Sequence, residues 1–231
     1  MKYFGEGLSE QHKELSRLIR KENEIERAKG LFLDIHTKLN LSEISNSKEN
    51  EVDKLFKDLN KNEYSIMPTK KDETIAWVLW HIARIEDLTT NILIAKEEQI
   101  FNQEWQSRLN VSISDTGNAL DDDEIMILSK NINVDELIYY RNTVSKNTQK
   151  IIKNLTNADM KRKVDINDLK RILDAGGLTN DKNSIWLFDF WGKKDVAGIL
   201  LMPLTRHIML HLNDCCKWKE MIRSKNKYYK S

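Results

Sequence analysis

The sequence contains few of the residues that build tight turns. Its 231 residues include only two prolines, Pro68 and Pro203, and eight glycines. Average usage is about 5% proline and about 7% glycine, and strand-rich folds need both residues at their many turns. Lysine, glutamate, leucine, isoleucine and asparagine are abundant instead. The composition therefore predicts long helices joined by few connections.

Other scarcities exclude several classes of protein. The only cysteines, Cys215 and Cys216, are neighbours, which excludes a disulfide framework. The 37 basic residues balance 36 acidic ones, so charge gives no support to a nucleic-acid or anionic membrane partner. No apolar run approaches the roughly 20 residues of a membrane span, and the N-terminal segment lacks the apolar core of a signal peptide. We expect a cytoplasmic protein without nucleic-acid or membrane partners.

Apolar residues recur at helical spacing in four long segments. These predicted helices cover residues 8–40, 72–98, 133–156 and 195–224. Shorter helices are expected at about 50–60, after Asp121 and at 158–174, and residues 41–50 and 110–122 are expected to be polar loops. The pattern predicts one all-α domain over residues 1–231, a four-helix bundle with additional short helices in long connections. Loops of this length are typical of the mouth of a cavity.

Three histidines are expected at a similar depth of such a bundle. His207 and His211 lie four residues apart in TRHIMLHL, so their imidazoles can converge on one ion. His81 lies beside the apolar stripe of the predicted 72–98 helix, near its middle. Two interpretations remain open. The rings either offer three neutral nitrogens to one divalent ion with a position free for a ligand, or they are separately hydrogen-bonded core histidines.

The segments that carry these histidines resemble the DinB/YfiT-like superfamily. They are TIAWVLWHIARIEDLTTNIL (74–93) and LLMPLTRHIMLHLNDC (200–215). The resemblance implies a four-helix bundle that binds a divalent ion, usually zinc or nickel, through His81, His207 and His211. It also implies a homodimer and a metal-dependent transferase or isomerase that uses a low-molecular-weight thiol, such as bacillithiol or mycothiol. The family name does not imply DNA binding.

This chain is longer than the small members of that family. Inserted segments are expected at about 99–132 and 157–190, where they would remodel a substrate pocket. A relative's substrate therefore cannot be transferred to this chain.

Four further side chains are candidates for the neighbourhood of the site. Trp186 and Trp191 belong to the aromatic stretch IWLFDFW, which we expect in a loop-rich region beside the last helix, where both would wall a pocket. Arg84 either forms hydrogen bonds near the ligating histidines or lies in a solvated ion pair. His36 either lines the cavity, with a role in proton transfer, or packs as a hydrogen-bonded core residue.

The leading hypothesis is a metal-dependent S-transferase or isomerase that acts with a low-molecular-weight thiol. The alternative is a non-catalytic helical bundle that binds a small molecule or is stabilised by a metal. A third hypothesis is a protein that binds a partner through its inserts. The sequence has no Gly-rich phosphate loop, serine nucleophile motif or CxxC pair, which disfavours nucleotide-dependent chemistry and classical hydrolysis.

Overall fold

The computed structural model describes residue 4, residues 7–225 and residues 227–231. Within them it contains twelve α-helices and no β-strand, which confirms the all-α class. The α-helices are α1 Leu8–Leu18, α2 Ile25–Lys38, α3 Glu51–Phe56, α4 Ile75–Asp87, α5 Gln103–Leu109, α6 Asp122–Asn131, α7 Val134–Asn154, α8 Asn157–Lys161, α9 Ile166–Asp174, α10 Lys182–Gly192, α11 Val196–Leu201 and α12 His207–Ser224. Short 3-10 helices cover Glu22–Glu24, Ser42–Ile44 and Glu63–Ser65, and π-helical segments cover Leu88–Ala95 and Met202–Arg206.

The helices α2, α4, α7 and α12, with the π-helical segment before α12, pack against one another. Helix α4 packs against both α7 and α12, and α2 contacts α7 and the π-helical segment before α12. Their apolar faces join one contiguous core cluster. Among the described helices, none combines the length and the hydropathy needed to cross a membrane.

Helix α4 is buried around its whole circumference. All of its residues are buried, as expected for a helix covered on every side. Arg84 and Asp87 lie on the face of α4 opposite its main apolar stripe, and the alternative in which Arg84 forms a solvated ion pair there is wrong, because its pair with Asp87 is fully buried. The insert predicted at 99–132 is the reason, because α6 and the loop before it lie against that face.

Asp87 is the acceptor that makes this burial possible. Its carboxylate is fully buried and accepts hydrogen bonds from two chain segments besides its own helix. The donors are Arg84 Nη1 (3.0 Å), Tyr140 Oη (2.6 Å), Asn91 Nδ2 (2.7 Å) and the backbone N–H groups of Ile100 (2.8 Å) and Phe101 (2.9 Å). A buried ion pair is stable only when its remaining polar atoms are also paired. Asp87 therefore ties the start of the insert to α4 and α7.

Two predicted helices are divided by non-helical residues in the structure. The first, 8–40, divides into α1 and α2 at Lys21, whose backbone is extended (ψ 126°) within a polar run that gives no apolar face. Gly30 lies inside α2 and does not mark the break. The predicted 158–174 helix divides into α8 and α9, because Arg162 leaves the helical conformation.

Around the last helix, two predictions need correction. Residues 195–224 form α11, the π-helical segment and α12, and Pro203 lies in the π-helical segment because it has no N–H to continue an α-helix. The aromatic stretch 185–191 is not a loop. It lies in α10, whose N-cap Asp181 accepts a hydrogen bond from the backbone N–H of Asn183. In contrast, the helix predicted at 133–156 is confirmed as α7, capped by Asn133.

We predict that Asp87→Asn lowers the free energy of unfolding by about 3 kcal/mol or more, because it leaves buried Arg84 without its counter-charge. Asp34→Asn is the matched control. Asp34 pairs with Lys38 at the exposed surface, so its loss should cost no more than about 1 kcal/mol. Urea unfolding of both variants measures the difference, and equal effects would contradict the role given to Asp87.

Candidate metal centre

Three imidazoles from two distant parts of the chain meet in the structure. His81 comes from α4, and His207 and His211 from the first turns of α12. One ligand nitrogen of each residue lies within 4.8 Å of the others. The Nε2 atoms of His81 and His207 are 3.1 Å apart, and the three ring centroids are 4.5 to 5.0 Å apart. The three histidines that sequence spacing grouped thus form one cluster.

The π-helical segment places His207 at the start of α12. The segment ends at Arg206, and two side chains donate hydrogen bonds to backbone carbonyls immediately before its first residue. Thr205 Oγ1 donates to the carbonyls of Leu200 (2.8 Å) and Leu201 (2.9 Å), and His12 Nε2 donates to Leu201 (2.7 Å). Short π-helical insertions often occur at functional sites, and here one precedes a candidate ligand directly.

Helix α4 holds the loop at residues 114–117 through hydrogen bonds to four successive carbonyls. We call these bonds the carbonyl clamp. They run from Arg84 Nε (3.0 Å) and Nη2 (2.8 Å) to Ser114, from Trp80 Nε1 (3.0 Å) to Asp115, from His81 Nδ1 (2.8 Å) to Thr116 and from Trp77 Nε1 (3.0 Å) to Gly117. The four donors are spaced i, i+3, i+4 and i+7, so they share one face of the helix. The loop therefore runs antiparallel to α4 along that face.

The clamp determines which nitrogen of His81 is available. A carbonyl oxygen can only accept, so Nδ1 carries the proton and Nε2 presents its lone pair towards His207. The ring is also stacked on Trp77, with centroids 4.6 Å apart and planes 9° from parallel. Both contacts hold the imidazole in one orientation. A ligating histidine generally has such an acceptor on its other nitrogen.

Burial keeps all three imidazoles neutral at neutral pH. It lowers the pKa of His81 to about 3, with a smaller contribution from His211. Burial also lowers the pKa of His211 to about 4. For His207, burial is again the main cause, and the neighbouring rings of His81 and His211 lower its pKa further, to well below the usual range. Neutral imidazole is the form that binds a metal ion.

Protein groups alone do not satisfy this cluster. The Nδ1 atoms of His207 and His211 are buried and have no hydrogen-bond partner among the described residues. An unpaired buried polar group costs about 1–3 kcal/mol, which argues against separately hydrogen-bonded core histidines. Two nitrogens bound to one zinc ion lie no more than about 4.2 Å apart, and the 3.1 Å between His81 and His207 is within that limit. The three histidines together can hold a divalent ion.

A cavity of about 170 Å³ opens beside the cluster. The ten residues that line it come from α4, α10, the loop after the clamp and the segment that leads into α12. They are His81, Ile85, Asn118, Trp186, Leu187, Phe190, Trp191, Met202, Pro203 and His207. Trp191 is buried, and Trp186 is 48% exposed. The structure thus places both tryptophans on the wall of a cavity that reaches two of the candidate ligands.

The other two side chains predicted near the site, Arg84 and His36, do not line this cavity. Arg84 forms its hydrogen bonds with the clamp, Asp87, Tyr140 and Gln99, so a direct bond from Arg84 to a ligating histidine is not what the structure shows. The acceptor for His81 is a backbone carbonyl, which no side-chain pattern in the sequence reveals.

His36 does not line the cavity. Its Nε2 donates to buried Glu86 Oε1 at 2.8 Å in the interior between α2 and α4. Of the two alternatives for His36, the structure matches a hydrogen-bonded core residue, since its ring is bonded to a buried carboxylate.

These features define a helical protein with a three-imidazole site that can hold a metal ion. A model of the DinB superfamily matches residues 47–214, which include all three histidines and more than half of the chain. The chain belongs to the DinB superfamily. No curated protein matches it.

We predict that Gly117→Ala is more destabilising than Gly7→Ala. Both glycines have φ 76°, which costs an alanine about 1–2 kcal/mol. A Cβ on Gly117 would also lie 2.9 Å from Trp77 Nε1, whereas a Cβ on Gly7 meets no described heavy atom within 4 Å. The excess should be about 1 kcal/mol or more by urea unfolding. Gly117→Ala should also shift the ¹⁵N resonance of His81 Nδ1. Equal destabilisation with an unchanged resonance would contradict the clamp.

We predict that the metal-free protein loses stability as the pH falls below about 6.5, the pKa of an unfolded histidine. Because the folded-state pKa of His81 is about 3, the unfolded chain binds more protons between these values, and the free energy of unfolding falls with pH. His81→Gln retains an N–H donor but cannot be protonated. In EDTA, His81→Gln should reduce the slope of the free energy of unfolding against pH by up to about 1.4 kcal/mol per pH unit. A slope identical to that of the wild type would contradict the burial of a neutral His81.

Proposed function

We propose that His81, His207 and His211 bind one divalent ion, and that the chain is a metal-dependent transferase acting with a low-molecular-weight thiol. The observation that carries the proposal is the cluster itself. Three neutral imidazoles converge, with one nitrogen of each within 4.8 Å of the others, and a cavity begins at the same point. Imidazole donors suit zinc and nickel, and these are the ions we propose.

When bound, the ion would lower the pKa of a thiol or polarise an electrophile. The chain would hold the imidazoles in position and form the walls of the cavity. His81 is oriented by the Thr116 carbonyl and by Trp77, and His207 is placed by the π-helical segment that precedes it. The apolar walls of the cavity exclude water from the reacting groups, which strengthens electrostatic interactions there.

In the proposed transfer, the thiol sulfur forms a bond to an electrophilic carbon of the acceptor. The leaving group departs with the electron pair of the bond that breaks, and the thiol proton passes to solvent. No oxidant or reductant is needed. In an addition, the electron pair would remain on the acceptor, which then takes up the proton. In an isomerisation, the same electron pair would re-form the original bond type and expel the sulfur, so that the carbon–sulfur bond breaks again and the thiol is regenerated.

The lining of the cavity favours a second candidate, a non-catalytic bundle that binds a small molecule. Among the ten described lining residues, there is no carboxylate, lysine, cysteine or hydroxyl side chain. A general acid or base other than an imidazole is therefore missing from this wall. Turnover separates the two candidates, because binding alone requires no metal-dependent product.

We expect His207→Gln and His211→Gln each to weaken Zn²⁺ binding at least about 100-fold, since each removes one of three ligands. Isothermal titration of the EDTA-treated protein measures the affinity. Leu210→Gln is the control, because it adds the same glutamine side chain to α12 at an exposed position outside the cluster. Loss of affinity in the control, or retention in both cluster variants, would refute the assignment of the ligands.

The transferase itself is tested by restoring Zn²⁺ or Ni²⁺ to metal-free protein and following the loss of free thiol with an electrophilic acceptor. We expect turnover that EDTA abolishes and that His207→Gln lacks. Metal binding without turnover of any cellular thiol would favour the non-catalytic candidate.

A further inference from the structure

The cavity beside the cluster is built almost entirely from apolar side chains. Leu187 and Trp191 are buried in its wall, with Ile85 from α4 and Pro203 from the π-helical segment. Trp186 stands half-exposed, and its indole N–H is already bonded to the carbonyl of Asn183 at 2.9 Å. Its rings therefore offer the cavity apolar contact without an unpaired donor.

Charge is absent from the same wall. Of the ten described lining residues, none carries a permanent charge, and the polar members are His81, His207 and Asn118. The ammonium group of Lys194 lies 4.2 Å from the centroid of the Phe190 ring, but Lys194 does not line the cavity. A charged group placed inside would lose its hydration without gaining a partner.

The size of the cavity limits what it can hold. Its volume is about 170 Å³, and an apolar cavity of about 150 Å³ in another protein accommodates one benzene ring. The polar members His81 and His207 are also members of the imidazole cluster. A guest would therefore have an apolar body against α10 and a reactive end towards the imidazoles.

We infer that this cavity binds an uncharged aromatic or branched aliphatic group of about one ring, and that the group belongs to the acceptor of the transfer reaction. The assignment to an acceptor rests on the proposed function. Thiols such as bacillithiol and mycothiol carry several polar groups, and these would remain unpaired against tryptophan, phenylalanine and leucine. The thiol therefore approaches from the exposed side of the imidazoles, while the apolar body of the electrophile fills the cavity.

The test uses fluorobenzene and 4-fluorobenzoate, which share one ring and differ in charge. Both are titrated into the full-length protein by ¹⁹F NMR, metal-free and after loading with Zn²⁺. We expect saturable binding of fluorobenzene in both forms, at least tenfold tighter than that of 4-fluorobenzoate to the metal-free form. Equal affinities, or no saturable binding of fluorobenzene, would overturn the assignment of an apolar guest.

Two variants locate the bound ring. Met202→Trp fills the cavity from a half-buried position, and Phe190→Trp does so from α10 if the first variant does not fold. Leu210→Trp adds the same side chain on α12 at an exposed position that does not line the cavity. We expect fluorobenzene to bind at least tenfold more weakly to a filled variant and unchanged to the control. Unchanged binding to the filled variant would place the ring elsewhere and overturn the inference.

Loading with Co²⁺ separates this inference from the proposed function. A ring held beside His81 and His207 should show faster ¹⁹F relaxation with paramagnetic Co²⁺ than with Zn²⁺. Ring binding in a protein that takes up no Co²⁺ would support the apolar cavity and overturn the proposed metal centre. Co²⁺ uptake without an effect on the bound ring would support the metal centre and overturn the placement of the acceptor beside it.

Discussion

The hydrogen bond from His81 to the Thr116 carbonyl joins the fold of this protein to its candidate chemistry. It is one of five hydrogen bonds through which a single face of α4 holds the four successive carbonyls of the 114–117 loop. Because the backbone can only accept there, the proton of His81 stays on Nδ1 and the Nε2 lone pair faces the other imidazoles. The same bonds cover α4 and bury Arg84. The carbonyl clamp therefore both orients His81, a candidate metal ligand, and buries α4.

The insert that contains this loop is consequently part of the site. Asp87 secures its beginning through the N–H groups of Ile100 and Phe101, and the carbonyl clamp secures it further along the chain. The second insert contributes α10, which supplies Trp186 and Trp191 to the cavity. Both of the segments predicted as inserts, 99–132 and 157–190, thus contact the imidazole cluster or its cavity.

Sequence reasoning predicted the cluster better than its surroundings. The i, i+4 spacing of His207 and His211 and the similar depth of His81 are side-chain patterns, and regular helices translate such patterns directly into space. The carbonyl clamp could not be predicted, because its acceptors are backbone atoms of a loop with no periodicity. The spacing of Trp77, Trp80 and Arg84 is visible in the sequence, but it does not identify the groups that these side chains contact. The π-helical segment was also missed, since Pro203 indicates only that an α-helix is interrupted. The homodimer and the cytoplasmic location stay predictions.

The central claim is that three imidazole nitrogens share one divalent ion. X-ray absorption spectroscopy of the zinc-loaded protein examines this directly, because it reports the number, type and distance of the atoms around the metal. The account predicts three imidazole nitrogens at about 2.0–2.1 Å, with one of them missing in His211→Gln. A coordination shell of oxygen atoms alone, or an identical spectrum in His211→Gln, would contradict it.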